Sequence, residues 1–162
     1  MKRFLNAALT AVLSACLSSL LAQVPSSPQP PGANSPRIKA CSLLPKEEVK
    51  NHLPWIAVLD NMKIEEEPIG TAGSSCNYPS VFIQVLLFSQ KTIDLARKKE
   101  GIETISGVGE EAYFHNNANR YAELYVKVGK YLLTLQANVD GKIESVKPGV
   151  LNLAKALVAK LR

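Results

Sequence analysis

Strict alternation of apolar and polar positions is the clearest pattern in the chain, and it lies in residues 120–139. Two alternating segments flank Gly129-Lys130, which predicts a β-hairpin with a two-residue turn. Pairing Val128 with Tyr131 places only apolar residues on one face, with the further pairs Val126–Leu133, Leu124–Leu135 and Ala122–Ala137. The other face, predicted to be solvated or used for binding, carries Tyr121, Glu123, Tyr125, Thr134, Gln136 and Asn138.

Shorter patterns predict the elements before this hairpin. The segment LLPKEEVKNHL has a proline and two glutamates in its first turn, which favours a helix that Pro54 ends. A strand is predicted at 62–67, a loop at GTAGSS, and a strand buried on both faces in the apolar run 81–88. The segment KTIDLARKKEG predicts a helix, and its inward-facing residues are predicted to be Ile93, Leu95 and Ala96.

A last helix is predicted from Ser145 to Leu161, because serine is a good N-cap and apolar residues form one wide stripe along the segment. Such a stripe needs a sheet to cover. The predicted order is α-β-β-β-α-β-β-β-α. Hairpin links dominate and long crossovers are few, so we expect the α+β class, with an antiparallel sheet packed against helices.

The first residues predict export. Met1-Lys2-Arg3 is basic, and residues 4–22 are uncharged and mostly apolar or small, as in a signal peptide. Cleavage near Ala22 would release a periplasmic or secreted protein. Alternatively, Leu13-Ser14-Ala15-Cys16 has the form of a lipobox, which would acylate Cys16 and give a membrane-anchored lipoprotein. The predicted organisation is a signal peptide at 1–22, a disordered Pro/Ser-rich tether at 23–37 and one globular α+β domain at 38–162.

Two cysteines remain in the predicted domain, Cys41 and Cys76. An even pair in an exported protein favours a disulfide, although two separate buried thiols are the alternative. Closing this 35-residue loop would stabilise the fold by about 3 to 4 kcal/mol in the loop-closure model.

Charge and motifs indicate little specific chemistry. Removing Lys2 and Arg3 lowers the formal net charge from +5 to +3, and no basic run with interleaved aromatic residues suggests a nucleic-acid partner. The segment GVGEEA at 107–112 matches a dinucleotide fingerprint in form, but a β-rich segment follows it, so we interpret it as a glycine turn. His52 and His115 are predicted to be surface residues and Glu65-Glu66-Glu67 a solvated run. Hence no catalytic residue, metal site or cofactor is predicted.

Four short segments resemble a family of small exported domains of unknown function, many of them lipoproteins, best known from actinobacteria. The resemblance covers roughly residues 40–161 and implies a Cys41–Cys76 bridge and a turn into a strand at 107–113. By analogy, the overall shape resembles the Mog1/PsbP type of α-β-α sandwich. The segments are ACSLLPKEEV, GSSCNYP, ISGVGEEAYF and LYVKVGKYLLTLQ.

Two functions of different classes are consistent with the sequence. The first is non-enzymatic binding of an envelope protein or small ligand through the polar hairpin face, since aromatic residues such as Tyr121 and Tyr125 are enriched in binding surfaces. The second is a hydrolase with an unrecognised site, so enzymatic activity stays undecided. A pocket lined by converging polar residues would favour the hydrolase. A membrane is expected as a partner only through the lipid anchor at Cys16.

Overall fold

An antiparallel sheet of seven strands, in the order β1-β2-β3-β7-β6-β5-β4, organises the fold. The computed structural model describes residues 38–56, 61–117, 120–139 and 141–162, so the predicted signal peptide, the tether and Cys16 lie outside the described residues. The elements are α1 (Ala40–Leu43), α2 (Lys46–His52), β1 (Glu65–Ile69), β2 (Gly73–Tyr78), β3 (Val81–Leu87), α3 (Gln90–Arg97), β4 (Ile102–Ile105), β5 (Glu111–Asn117), β6 (Tyr121–Val128), β7 (Tyr131–Asn138) and α4 (Ile143–Leu161).

The predicted α+β class is confirmed, but the element order has one strand and one short helix more than predicted. Strand β4 has only four residues, two of them isoleucines, and this is too short a segment to show a clear strand pattern. The GTAGSS segment, predicted to be a loop, supplies the first half of β2. Its serines are buried there because the Ser74 hydroxyl accepts a hydrogen bond from the Ala40 N–H and donates one to the Ile38 carbonyl, both at 2.8 Å.

The inner face of the sheet carries the main core. The predicted hairpin register between β6 and β7 is confirmed, including Val128 opposite Tyr131 and Leu124 opposite Leu135. Helix α4 packs on this face with the predicted stripe, in which Val150, Leu153 and Leu157 are fully buried. Burying each such side chain contributes roughly 1.5 to 3 kcal/mol. Among the described residues, no helix is long and apolar enough to cross a membrane.

A disulfide between Cys41 and Cys76 joins α1 to the middle of β2, and their Cα atoms lie 4.8 Å apart. This separation is within the range that a disulfide requires. The predicted bond is therefore confirmed, and it fixes the N-terminal helices to the inner face of the sheet.

Helix α3 lies on the opposite, outer face. Its Ile93 and Ala96 pack against Tyr113, Tyr125 and Leu132 in a second, smaller core. The prediction that Leu95 also faces inward is wrong, because its side chain is 58% exposed. At 3.6 residues per turn, Leu95 lies about 200° around the helix axis from Ile93.

The two sides of β3 are not equally buried, contrary to the prediction. Val81, Ile83 and Val85 point into the main core and are buried. Phe82 is half-buried on the outer face, and Leu87 at the end of the strand is exposed. The outer side chains of β3 therefore keep part of their surface in contact with solvent.

Candidate functional site

The polar hairpin face predicted from the sequence divides into two parts in the structure. Glu123, Tyr125 and Thr134 are buried, so the prediction of a solvated face is wrong for these three residues. They lie in the region where α3 and the segment after it pack on the sheet. The other predicted residues lie nearer the open end of the hairpin, where Tyr121 and Gln136 are half-buried and Asn138 is exposed.

Glu123 is the centre of the buried part. Its side chain is in contact with several polar side chains although the residue is only 4% exposed. Lys99, which follows α3, donates a hydrogen bond to Oε2, and Nδ1 of His115 lies 3.2 Å from the same oxygen. Gln136 Nε2 donates to Oε1 at 2.7 Å. Each carboxylate oxygen therefore has a polar partner, which a buried charge requires.

The ionisation of this group follows from competing effects. Burial raises the pKa of Glu123, but hydrogen bonds from Lys99, Tyr125 and Gln136 outweigh burial and hold the pKa below its ordinary value. Desolvation likewise opposes the charge on Lys99, yet its bonds to Glu123 and Tyr125 raise the pKa of Lys99. Burial raises the pKa of Tyr125 to about 12, against the opposing hydrogen bond from Lys99. The site therefore holds an ion pair and a neutral phenol at neutral pH.

His115 differs from its prediction as a surface residue. It lies within β5, opposite Ile102 of β4, and its side chain is only 14% exposed. The neighbouring β4 and the contact with Glu123 remove most of its surface from water. The other histidine, His52, keeps more exposure at the end of α2 and lies 3.3 Å from Glu48.

Next to this network lies a cavity of about 160 Å³ on the outer face, between the β2–β3 turn and the end of the hairpin. Gln136 belongs to both features, because its amide group donates a hydrogen bond to Glu123 and the residue also lines the cavity. The described lining residues carry aromatic, hydroxyl and amide groups and no formal charge; they are Tyr78, Ser80, Val81, Phe82, Tyr121, Gln136 and Asn138.

The rim of the cavity is held by specific hydrogen bonds. Ser80 has a positive φ of 76°, which is uncommon for a residue other than glycine, and its carbonyl accepts a hydrogen bond of 2.8 Å from the Asn138 N–H. The Asn138 carbonyl accepts from Trp55 Nε1 at 3.1 Å. The Tyr78 hydroxyl donates to the Leu44 carbonyl. These contacts join the rim to the residues that follow α1 and α2.

The other motifs take structural roles. Gly107 and Gly109 both have positive φ, and a Cβ on Gly109 would lie 2.4 Å from Val126 Cγ1, so GVGEEA is the predicted glycine turn into β5. The run Glu65-Glu66-Glu67 is exposed on the edge strand β1.

Sequence reasoning missed Phe82, Ser80 and Lys99 at this site. Ser80 follows Pro79 between two apolar segments, and that turn signal could have placed it at the end of a hairpin. Phe82 alternates with Val81 and Ile83, which could have assigned it to the outer face. Lys99 carried no signal, because its contact with Glu123 depends on how α3 docks.

No protein-family model, curated protein or solved structure matches the chain. The resemblance based on four short segments therefore remains a prediction, and the basis for function is the geometry of the cavity and of the Glu123 network.

Proposed function

We propose that this chain is an exported domain that binds a small ligand, without catalysis, in the cavity beside Gln136. The observation that carries the proposal is the contact between the Gln136 amide and the buried Glu123 carboxylate. It joins the cavity to a buried, hydrogen-bonded ion pair. Largely pre-formed pockets with a few oriented polar groups are the usual form of small-molecule sites.

The contact with Glu123 fixes the orientation of the Gln136 side-chain amide. An ionised carboxylate only accepts hydrogen bonds, so the NH₂ group of Gln136 must face Glu123, and this determines where its Oε1 lies. The side chain is therefore oriented before a ligand arrives. Pre-orientation reduces the entropy that binding would otherwise cost.

Protein-observed NMR tests this proposal. The ¹⁵N-labelled exported protein is titrated with size-fractionated small-molecule extracts of the producing cells and their envelope. We expect at least one fraction to shift the backbone amides of Phe82, Gln136 and Asn138. Asn138→Ala should weaken the response, whereas Leu87→Ala should not, because Leu87 lies about 16 Å further along β3 than Phe82. Extracts that shift no cavity amide would contradict the proposal, and shifts caused only by the macromolecular fraction would indicate a protein partner.

The hydrolase alternative has one observation in its favour, the 3.2 Å contact between His115 and Glu123. Such a pair is able to move a proton. However, both side chains are largely buried, which restricts their access to a substrate. His115→Gln distinguishes the two functions, since it should abolish hydrolysis by a His115–Glu123 pair while leaving the contact between Gln136 and Glu123, and a ligand bound at the cavity.

We also propose that the protein is exported, as a periplasmic or secreted domain or as a lipoprotein anchored at Cys16. The Cys41–Cys76 disulfide supports an oxidising compartment. The mass of the mature N-terminus tests this: cleavage near Ala22 leaves an unmodified chain, and lipidation leaves an acylated Cys16. Cys16→Ser should release the protein from membranes only in the second case, and an uncleaved cytoplasmic chain would contradict both.

Finally, we propose that the domain has the α-β-α sandwich form and belongs to the family that it resembles. Helices on both faces of the sheet support the sandwich, with α4 on the inner face and α3 on the outer face. A related chain that shares the four segments but has a sheet open on one face would contradict this grouping.

A further inference from the structure

We infer that the ligand of the cavity is a neutral polyhydroxylated ring, that is, one sugar unit or the end of a glycan. This inference rests on the proposed function, because it names the class of molecule that the same cavity binds. It follows from three properties of the lining: its charge, its combination of aromatic and amide groups, and its size.

The described part of the lining disfavours a charged ligand. None of its described residues carries a formal charge. The buried Glu123 carboxylate, which Gln136 contacts, is already paired with the ammonium group of Lys99. A carboxylate, phosphate or ammonium group would lose hydration in the cavity without meeting an opposite charge, which is unfavourable.

The combination of groups also disfavours a purely apolar ligand. Phe82 and Tyr121 are half-buried and supply ring surfaces, whereas Gln136 and Asn138 supply amides. An apolar molecule would cover these rings but would also take the polar groups of the lining out of water without giving them hydrogen-bond partners, which is unfavourable. A sugar ring has an apolar C–H face that packs on an aromatic ring and hydroxyls that both donate to and accept from amides.

The size of the cavity limits how much ligand it encloses. Its volume of about 160 Å³ is smaller than the range of about 300 to 1,000 Å³ found for drug-sized ligands. One ring is therefore the unit that the cavity holds, and a longer glycan would continue into solvent.

The test is an NMR titration of the full exported protein with matched ring compounds. The neutral probes are methyl glucopyranoside and methyl N-acetylglucosaminide; the charged analogues are methyl glucuronide and glucosamine, and the apolar analogue is cyclohexanol. We expect the neutral glycosides to shift the amides of Phe82, Gln136 and Asn138 with affinities of order 1 mM, typical of a single small ring. The charged and apolar analogues should bind at least about tenfold more weakly.

Variants separate the cavity from the rest of the surface. Phe82→Ala and Asn138→Ala should each weaken neutral glycoside binding about fivefold or more, and Phe82→Tyr should retain it. Leu87→Ala is the matched control and should stay within about twofold of the wild type. Unchanged amide spectra outside the cavity show that each variant remains folded.

The possible failures are distinguishable. Binding of extract fractions but of no neutral glycoside, or equal binding of the charged or apolar analogues, would overturn the sugar class and leave the binding site in place. A cavity that responds to neither extracts nor probes would overturn the proposed function as well.

Discussion

Removing Lys99 should destabilise the domain more than removing Glu123, although the two side chains form one ion pair. Lys99→Met keeps the length of the side chain but leaves the Glu123 carboxylate in a site where the residue is 4% exposed. Glu123→Gln leaves Lys99 unpaired instead, but the Lys99 side chain is 34% exposed and its ammonium group can be hydrated. The asymmetry in burial therefore sets the order of the two effects.

The magnitude follows from the cost of leaving one charge of a buried pair uncompensated, about 3 to 5 kcal/mol. Solvent near Lys99 screens part of the interaction, and Gln136 and His115 still contact the carboxylate. We therefore expect Lys99→Met to lower the free energy of unfolding by about 2 to 3 kcal/mol at pH 7. Glu123→Gln should lower it by about 1 kcal/mol. Urea unfolding followed by circular dichroism measures both, because a loss of 2 kcal/mol moves the midpoint by roughly 1 M.

The pH dependence provides the decisive control. The pKa of Glu123 is lowered in the folded wild type, so the stability from this group is present above its ordinary pKa and is lost as the pH falls through the folded pKa. In Lys99→Met, burial still raises the pKa of Glu123 while the strongest opposing bond is gone. The carboxyl then protonates more readily in the folded state, and the deficit relative to wild type should shrink between pH 7 and pH 4.

The double variant Lys99→Met/Glu123→Gln completes a double-mutant cycle, and it should be more stable than Lys99→Met alone because it no longer contains an unpaired carboxylate. A Lys99→Met deficit below about 1 kcal/mol, or one that is the same at pH 7 and pH 4, would refute the account of Glu123 as a buried charge that depends on Lys99.

Three further predictions concern the rest of the fold. Thr134→Asp should lower the free energy of unfolding by about 2 kcal/mol or more, because it places a charge at a buried position, and the loss should approach that of Leu124→Asp. Urea unfolding measures both variants, and a loss below about 0.5 kcal/mol for Thr134→Asp would mean that the outer face is open at this position. Ser80→Gly should raise the melting temperature, because glycine adopts the positive φ of this position without strain, and the free energy of unfolding should increase by about 0.5 to 1 kcal/mol. A lowered melting temperature would contradict this prediction. Alkylation without reductant should label neither Cys41 nor Cys76, and replacing both with alanine should cost about 3 to 4 kcal/mol; labelling of either thiol would contradict the bond.

The hairpin was predictable because two local signals agree. The period of two assigns each side chain of β6 and β7 to a face, and the Gly129-Lys130 turn fixes the register, so every predicted pair is observed. Strand β4 was not predictable in the same way, since four residues are too few to establish a period. Its place in the sheet is set by pairing with β5.

The prediction for the outer face was wrong because an alternation of polar and apolar residues does not show whether a helix covers the polar face of a sheet. Glu123 and Tyr125 are polar, and the pattern alone assigned them to solvent. Tyr125 is buried because Ile93 and Ala96 of α3 pack against it. Glu123 tolerates burial because Lys99 supplies the opposite charge, a contact between residues 24 positions apart. The apolar stripe of α3, which includes Ile93 and Ala96, could have indicated that the outer face is covered. The stripe of α4 already covers the inner face of the sheet, so the stripe of α3 must pack on the outer face.

The predicted hairpin register said more about the site than the pattern of polar and apolar residues did. It places Glu123 directly opposite Gln136, and cross-strand partners on one face lie within hydrogen-bonding reach. The contact between the carboxylate and the amide thus follows from the hairpin alone, before any helix is placed. Docking of α3 adds Lys99, which keeps Glu123 ionised, and an ionised Glu123 holds the NH₂ group of Gln136 toward itself. The orientation of the Gln136 side chain therefore depends on Lys99, so removing the charge of Lys99 should weaken ligand binding at a cavity that Lys99 does not line.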